Sequence, residues 1–141
     1  MKRILLTGAN GFVGSFFLKN YNDFYKIKKF SFLRDSFEDL NLDNIDIVIH
    51  CSALVHQMNG ASWEQYYDVN VTQTAQLAKK AKRSGVKHFI FLSTVKVYGE
   101  ESDSPYKESS PTNPTDYYSA SKVEAEDHLR NIEDNKFHIA I

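Results

Sequence analysis

The sequence is poor in the features that would set it apart from ordinary globular proteins. A single cysteine, Cys51, excludes an internal disulfide and fits a reducing compartment. No apolar run approaches the roughly 20 residues that a bilayer-spanning helix needs. The start, MKRILLTGANG, has only a short apolar stretch before its glycines, which is not a signal peptide, so the cytoplasm is the expected location. Net charge is also lacking: 17 Lys and Arg against 18 Asp and Glu leave −1, which argues against a nucleic acid or an anionic membrane as main partner. The basic run Lys79, Lys80, Lys82 and Arg83 reads as the last turn of a helix closed by Gly85, where cations offset the helix dipole. There is no internal repeat.

What is present is an alternation of short apolar runs with helical stretches. At 141 residues and 42% hydrophobic, the chain has material for one core, expected as one unit over residues 1–141. Arg3–Thr7, Ile27–Leu33, Ile45–Cys51, His88–Ser93 and Phe137–Ile141 read as strands, continuous in apolar character as parallel strands covered on both faces are. Gly11–Lys19, Ser62–Arg83 and Tyr117–Ile132 read as helices, and Phe37–Leu40 as a weak extra strand. Strands alternating with helices predict an α/β fold with a doubly wound parallel sheet. The polar loop GEESDSPYKESSPTNPT lies directly before the last helix.

Three places carry chemistry. In ILLTGANGFVGSFF, a strand runs into glycines at Gly8, Gly11 and Gly14 and then into a helix. A βα turn of this kind lets the chain leave the strand sharply, brings backbone to a pyrophosphate at the helix N-terminus, and packs helix against sheet. The second strand ends FLRD, where an acid would bond a ribose 2′-hydroxyl and an arginine would accommodate a 2′-phosphate. Arg34 tilts the choice toward NADP, while Asp35, one register step away, keeps NAD open. In TDYYSASK, Tyr118 and Lys122 are four apart and share a helix face, whereas Tyr117 points elsewhere. A phenol with pKa of about 10 is a poor base, and a nearby ammonium helps stabilise its phenolate, so the pair is a workable proton-transfer unit. FIFLSTVKVYGE adds hydroxyls at Ser93 and Thr94 at the end of a strand, where such sheets bind ligands.

Together, TGANGFVG, STVKVYG and YSASK resemble the extended short-chain dehydrogenase/reductase family, which includes NAD-dependent epimerases and dehydratases acting on nucleotide sugars. The resemblance runs through the whole chain in order. It implies a Rossmann-like, NAD(P)-binding fold with the family's C-terminal substrate part absent. It casts Tyr118 as catalytic acid/base, Lys122 as its partner and ribose ligand, and Thr94 as the hydroxyl on the reacting sugar oxygen. Phe12 and Val13 fall where the family's backbone meets pyrophosphate, and Asp39 and Leu40 match an acid–aliphatic pair beside adenine. Cys51, Ser52, Ala53 and Leu54 match the stretch lining the cofactor, and Asn70 a residue near the nicotinamide. Asn70 also has a plain reading as a satisfied helix asparagine.

The resemblance also implies a reaction: hydride transfer between a sugar carbon and nicotinamide. Dehydratases of the family carry S-T-D-E-V-Y-G; here Val95 and Lys96 stand at the two acid positions, which argues against elimination. VHQMNG and STVKVYGE are most similar to bacterial members of surface-polysaccharide synthesis that act on UDP-sugars as 4-epimerases or 4-keto reductases. A non-catalytic dinucleotide sensor and an inactive, shortened enzyme are the other readings. His50 and His56 lack a third ligand at suitable spacing, so no metal is expected. Trp63, Tyr66 and Tyr67 read as core or as a homodimer face. The family's N-V-x-G-T appears here as Asn70-Val71-Thr72-Gln73-Thr74, without its glycine.

Overall fold

The computed structural model describes residues 1–55 and 60–141. Five parallel strands form one sheet in the order β2-β1-β3-β4-β5: β1 Arg3–Thr7, β2 Lys26–Phe30, β3 Ile47–His50, β4 His88–Phe91 and β5 His138–Ala140. The helices are α1 Phe12–Tyr21, α2 Trp63–Tyr66, α3 Gln73–Arg83 and α4 Tyr117–Ile132. Successive side chains of a strand point to opposite faces, and both faces here are apolar. Ile4, Leu6 and Ile49 pack under Phe17 and Leu18 of α1. Leu5, Val48, Phe89 and Phe91 pack on the other face under Leu77 and Ala81 of α3 and Ala125 and Leu129 of α4. Helices on both faces make the sheet doubly wound and Rossmann-like, as expected.

The topology also locates a site. From β1 the chain steps one way to β2, then returns past β1 to β3 on its other side. At such a reversal the connecting segments diverge, leaving a crevice at the C-terminal ends of β1 and β3.

Except for β1, the strands are shorter than their apolar runs. β2 stops at Phe30, and the expected strand at Phe37–Leu40 is instead a turn. Its apolar residues are spent on packing: Leu40 is buried in the core, and Phe37 stacks on Phe32 with centroids 5.6 Å apart. Lys80 holds the turn by donating to the Phe37 carbonyl at 2.6 Å. The helix expected over Ser62–Arg83 is α2 and α3 joined through a π-helical segment, Tyr67–Thr72. The wider turn admits an extra residue, and Asn70 lies within it, buried. Gln73, at the position of the expected glycine, is only half-buried, while Thr74 beside it is buried.

Candidate functional site

The glycine turn is built for close approach. Gly8 has φ +68°, and a Cβ there would lie 2.7 Å from backbone atoms of Cys51 and Ser52. A Cβ on Gly14 would lie 2.2 Å from the Gly8 carbonyl oxygen, so α1 rests directly on the turn. Gly11 caps α1 without a side-chain bond, and the first turn holds no acid. Phe12 and Val13 are exposed there. The helix therefore presents N–H groups and positive dipole to an anion from outside, which is what a pyrophosphate requires.

Cys51, Ser52, Ala53 and Leu54 continue from β3 without regular structure, half-buried against that turn. Two buried networks fix them. Thr7 Oγ1 accepts the Ser52 N–H at 3.2 Å and pairs with His50 Nδ1 at 2.6 Å, while His50 Nε2 pairs with Thr74 Oγ1 at 2.9 Å. Burial, with the charge of Lys122 second, lowers the His50 pKa to about 3, so its ring is neutral. Asn70 accepts the Leu54 N–H at 2.7 Å and donates to the Leu54 carbonyl and to Ser121 Oγ, each at 2.9 Å. Ser121 in turn donates to the Tyr118 carbonyl at 2.7 Å. Asn70 thus joins the Cys51–Leu54 stretch to the first turn of α4.

Helix α4 begins at Asp116, whose carboxylate accepts the Ser119 N–H at 2.7 Å in a capping box. The cap fixes the phase of the helix and separates the two tyrosines. Tyr117 is 57% exposed and touches Trp63. Tyr118 is half-buried, beside Tyr66 at 6.4 Å between centroids, with its phenol close enough to the Thr94 side chain to feel it. Thr94 follows β4 and caps a 3₁₀ turn, Val95–Tyr98.

Burial raises the Tyr118 pKa above that of a free phenol; the Thr94 side chain and the charge of Lys96 pull it down in part, against Asp116 and Tyr66. This departs from the expectation that Lys122 lowers it. The Lys122 ammonium turns inward, donating to the Leu92 carbonyl at 2.7 Å and lying 3.8 Å over the Phe91 ring. Burial lowers its pKa to about 8, against the opposing charges of Glu126 and Cys51.

At the end of β2, Arg34 lies in a turn with its side chain exposed, and Asp35 bonds the Ser31 N–H at 2.8 Å. Asp39 is exposed, but Leu40 belongs to the core. Of Val55–Gly60, residues 56–59 lie outside the described residues, His56 among them. Among the described residues no group of His, Cys, Asp or Glu is placed to hold a metal ion, and no helix is long and apolar enough to cross a membrane. Tyr66 is core; Trp63 and Tyr67 pair at the surface, 5.5 Å apart.

Sequence reading missed the Thr7–His50–Thr74 bridge, the Asn70–Ser121 bond, and the Lys96–Asp116 ion pair at 3.0 Å. Only the last had a local signal, in the capping sequence DYYS.

The chain is 37% identical over 151 residues to UDP-glucose 4-epimerase of Vibrio cholerae, covering 91% of this chain and 46% of that protein. It is 30% identical over 157 residues to dTDP-D-glucose 4,6-dehydratase of Mus musculus, covering 89% and 44%. Its fold matches the structure of MoeE5 in complex with UDP-glucose and NAD with a TM-score of 0.82 at 23% identity, covering 97% of this chain and 51% of that one. The chain thus spans about half the length of the curated relatives it matches. The family model for NAD dependent epimerases and dehydratases matches residues 4–141, and the chain belongs to that family.

Proposed function

We propose that residues 1–141 form the dinucleotide-binding and catalytic part of an NAD-dependent enzyme that oxidises a carbinol carbon of a UDP-linked sugar and reduces it again, a 4-epimerase. One observation carries the reading. Tyr118 and Lys122 of α4 both meet the segment that follows β4, Tyr118 at Thr94 and Lys122 at the Leu92 carbonyl, at the C-terminal end of the sheet.

The cradle fits a dinucleotide because side chains are excluded at Gly8 and Gly14 and α1 starts without an internal anion. Gly8, Gly11, Phe12, Val13 and Gly14 hold the pyrophosphate through backbone, and Cys51–Leu54 with Asn70 line the nicotinamide side. Asp39 and Arg34 flank the adenosine end; Leu40 supports them from the core. When bound, an oxidised nicotinamide would supply the hydride acceptor and a positive charge that favours the phenolate. With that positive charge bound, Tyr118 would give up its proton to solvent and, as phenolate, would take the proton of the sugar hydroxyl as the carbinol carbon loses hydride, returning it when the resulting ketone is reduced. Thr94 keeps the phenol and the sugar oxygen in register. Lys122 would hold the ribose and oppose the charge of the phenolate.

Relatives named for UDP-glucose support a UDP-sugar. Val95 and Lys96, in place of acids, disfavour elimination. A second reading, an NADP-dependent 4-keto reductase, rests on the exposed Arg34 beside Asp35, whose carboxylate is engaged by the Ser31 N–H.

The test is absorbance at 340 nm after mixing the protein with NAD and UDP-glucose. A signal that Tyr118→Phe removes while NAD still binds supports the assignment. A signal that survives the substitution overturns the acid/base role. No signal from the wild type, with NAD bound, favours a non-catalytic dinucleotide-binding module.

A further inference from the structure

Tyr118, Lys122, Glu126 and Arg130 recur every four residues and lie on one face of α4. Glu126 is a carboxylate only 5% exposed, one turn from Lys122, which is 2% exposed. A buried carboxylate is costly unless its oxygens are bonded and its charge is opposed. Here one oxygen accepts the Ser93 hydroxyl, and the other pairs with Arg130 Nη2 at 2.8 Å. Ser93 lies between Leu92, whose carbonyl holds Lys122, and Thr94, whose side chain lies by the Tyr118 phenol.

We propose that Glu126 is a positioning residue for the Tyr118–Lys122 pair, anchoring the end of β4 through Ser93 and supplying the negative charge that keeps the buried Lys122 ammonium protonated. This rests on the proton-transfer reading of that pair. Arg130 is more than half exposed and cannot desolvate Lys122; it compensates Glu126 from the solvent side. The other ionisable groups facing Lys122 give little help. His50 from β3 is neutral, and Cys51 from the following segment opposes the shift less than Glu126 does, because burial raises its own pKa and disfavours the thiolate. Tyr118 on α4 keeps its proton as well. Lys96, across the site, is held by Asp116 and Glu100. Glu126 is then the standing anion beside Lys122. It also explains why a lysine 2% exposed is tolerated in a carbonyl-and-aromatic nest.

The experiment follows the Lys122 ammonium through its titration by lysine side-chain NMR, in the wild-type chain and in Glu126→Gln. The amide preserves shape and the bond from Ser93 but removes the charge. The expected result is a fall of about one pH unit in the Lys122 midpoint, with Glu126→Asp restoring it toward the wild-type value. An unmoved midpoint in folded Glu126→Gln protein overturns the proposal. Should Glu126→Gln not fold, Arg130→Met at the exposed end decides: loss of the compensating cation raises the Lys122 midpoint, and no rise overturns the proposal. Because the readout needs no turnover, a Lys122 response alongside an active Tyr118→Phe enzyme would uphold Glu126 and reject only the acid/base assignment.

Discussion

Tyr117 and Tyr118 are neighbours in sequence and occupy opposite environments: the first lies over Trp63 at the surface, the second inside against Tyr66 and Thr94. One helical step of about 100° produces the separation, and the Asp116 capping box sets which ring goes in. Tyr117→Phe is therefore expected to leave both stability and turnover within a few tenths of wild type. Tyr118→Phe is expected to lower turnover by about 10²–10⁴-fold while the dinucleotide still binds. Steady-state kinetics on the two variants side by side check this.

Gly14 supports the cradle by being small. An alanine there forces backbone apart, since the nearest atoms to its Cβ belong to Gly8 and Ala9 backbone rather than to a flexible side chain. Gly14→Ala is expected to cost about 2–4 kcal/mol and to weaken dinucleotide binding through displacement of α1. Gly11→Ala meets the Gly8 oxygen at 3.3 Å, a tighter fit that a small shift relieves, and is expected to cost less. Urea midpoints of the two variants give the comparison.

Asn70 makes three bonds from inside a π-helical turn. Asn70→Ala leaves the Leu54 N–H and carbonyl without their partner, a cost of about 2–4 kcal/mol. The expected local signature is faster hydrogen exchange at the Leu54 amide, with the sheet amides of β1 and β3 less affected.

His50 predicts a pH dependence. Its pKa falls from 6.5 to about 3 on folding, so between those values the unfolded chain binds a proton that the folded chain refuses. The stability contribution is complete above pH 6.5 and declines as pH falls toward 3, by about 1.4 kcal/mol per unit within the window. Asp116 and Asp134, both lowered from 3.8 to about 2, lose their contributions as pH falls from 3.8 toward 2, so of the three only His50 acts between pH 6.5 and 4. Thermal melts from pH 7 to 3 are expected to flatten above pH 4 in His50→Gln.

The parts of this fold legible in the sequence are those where one physical demand dominates. Tyr117–Ile132 is a helix over the expected span because its cap and its apolar spacing agree. β1 is likewise a strand over its whole apolar run. Phe37 and Leu40 read as a strand because apolar residues in a turn look like one when what they pack on, the core under α3 and Lys80 of that helix, is distant in the chain. The π-helical turn around Asn70 was hidden for a related reason: it is stabilised by Leu54 and Ser121, neither of which local propensity registers. The same holds within the site. Tyr118 and Lys122 were found by their spacing, but the inward turn of Lys122 depends on Leu92 and Phe91, and the Thr7–His50–Thr74 bridge spans three elements.

The most direct measurement is a calorimetric titration of the 141-residue chain with NAD and then NADP, in wild-type and Arg34→Ala protein. The account predicts saturable one-to-one binding of NAD, with Arg34→Ala weakening NADP more than NAD. A folded, monodisperse chain that binds neither dinucleotide would contradict it.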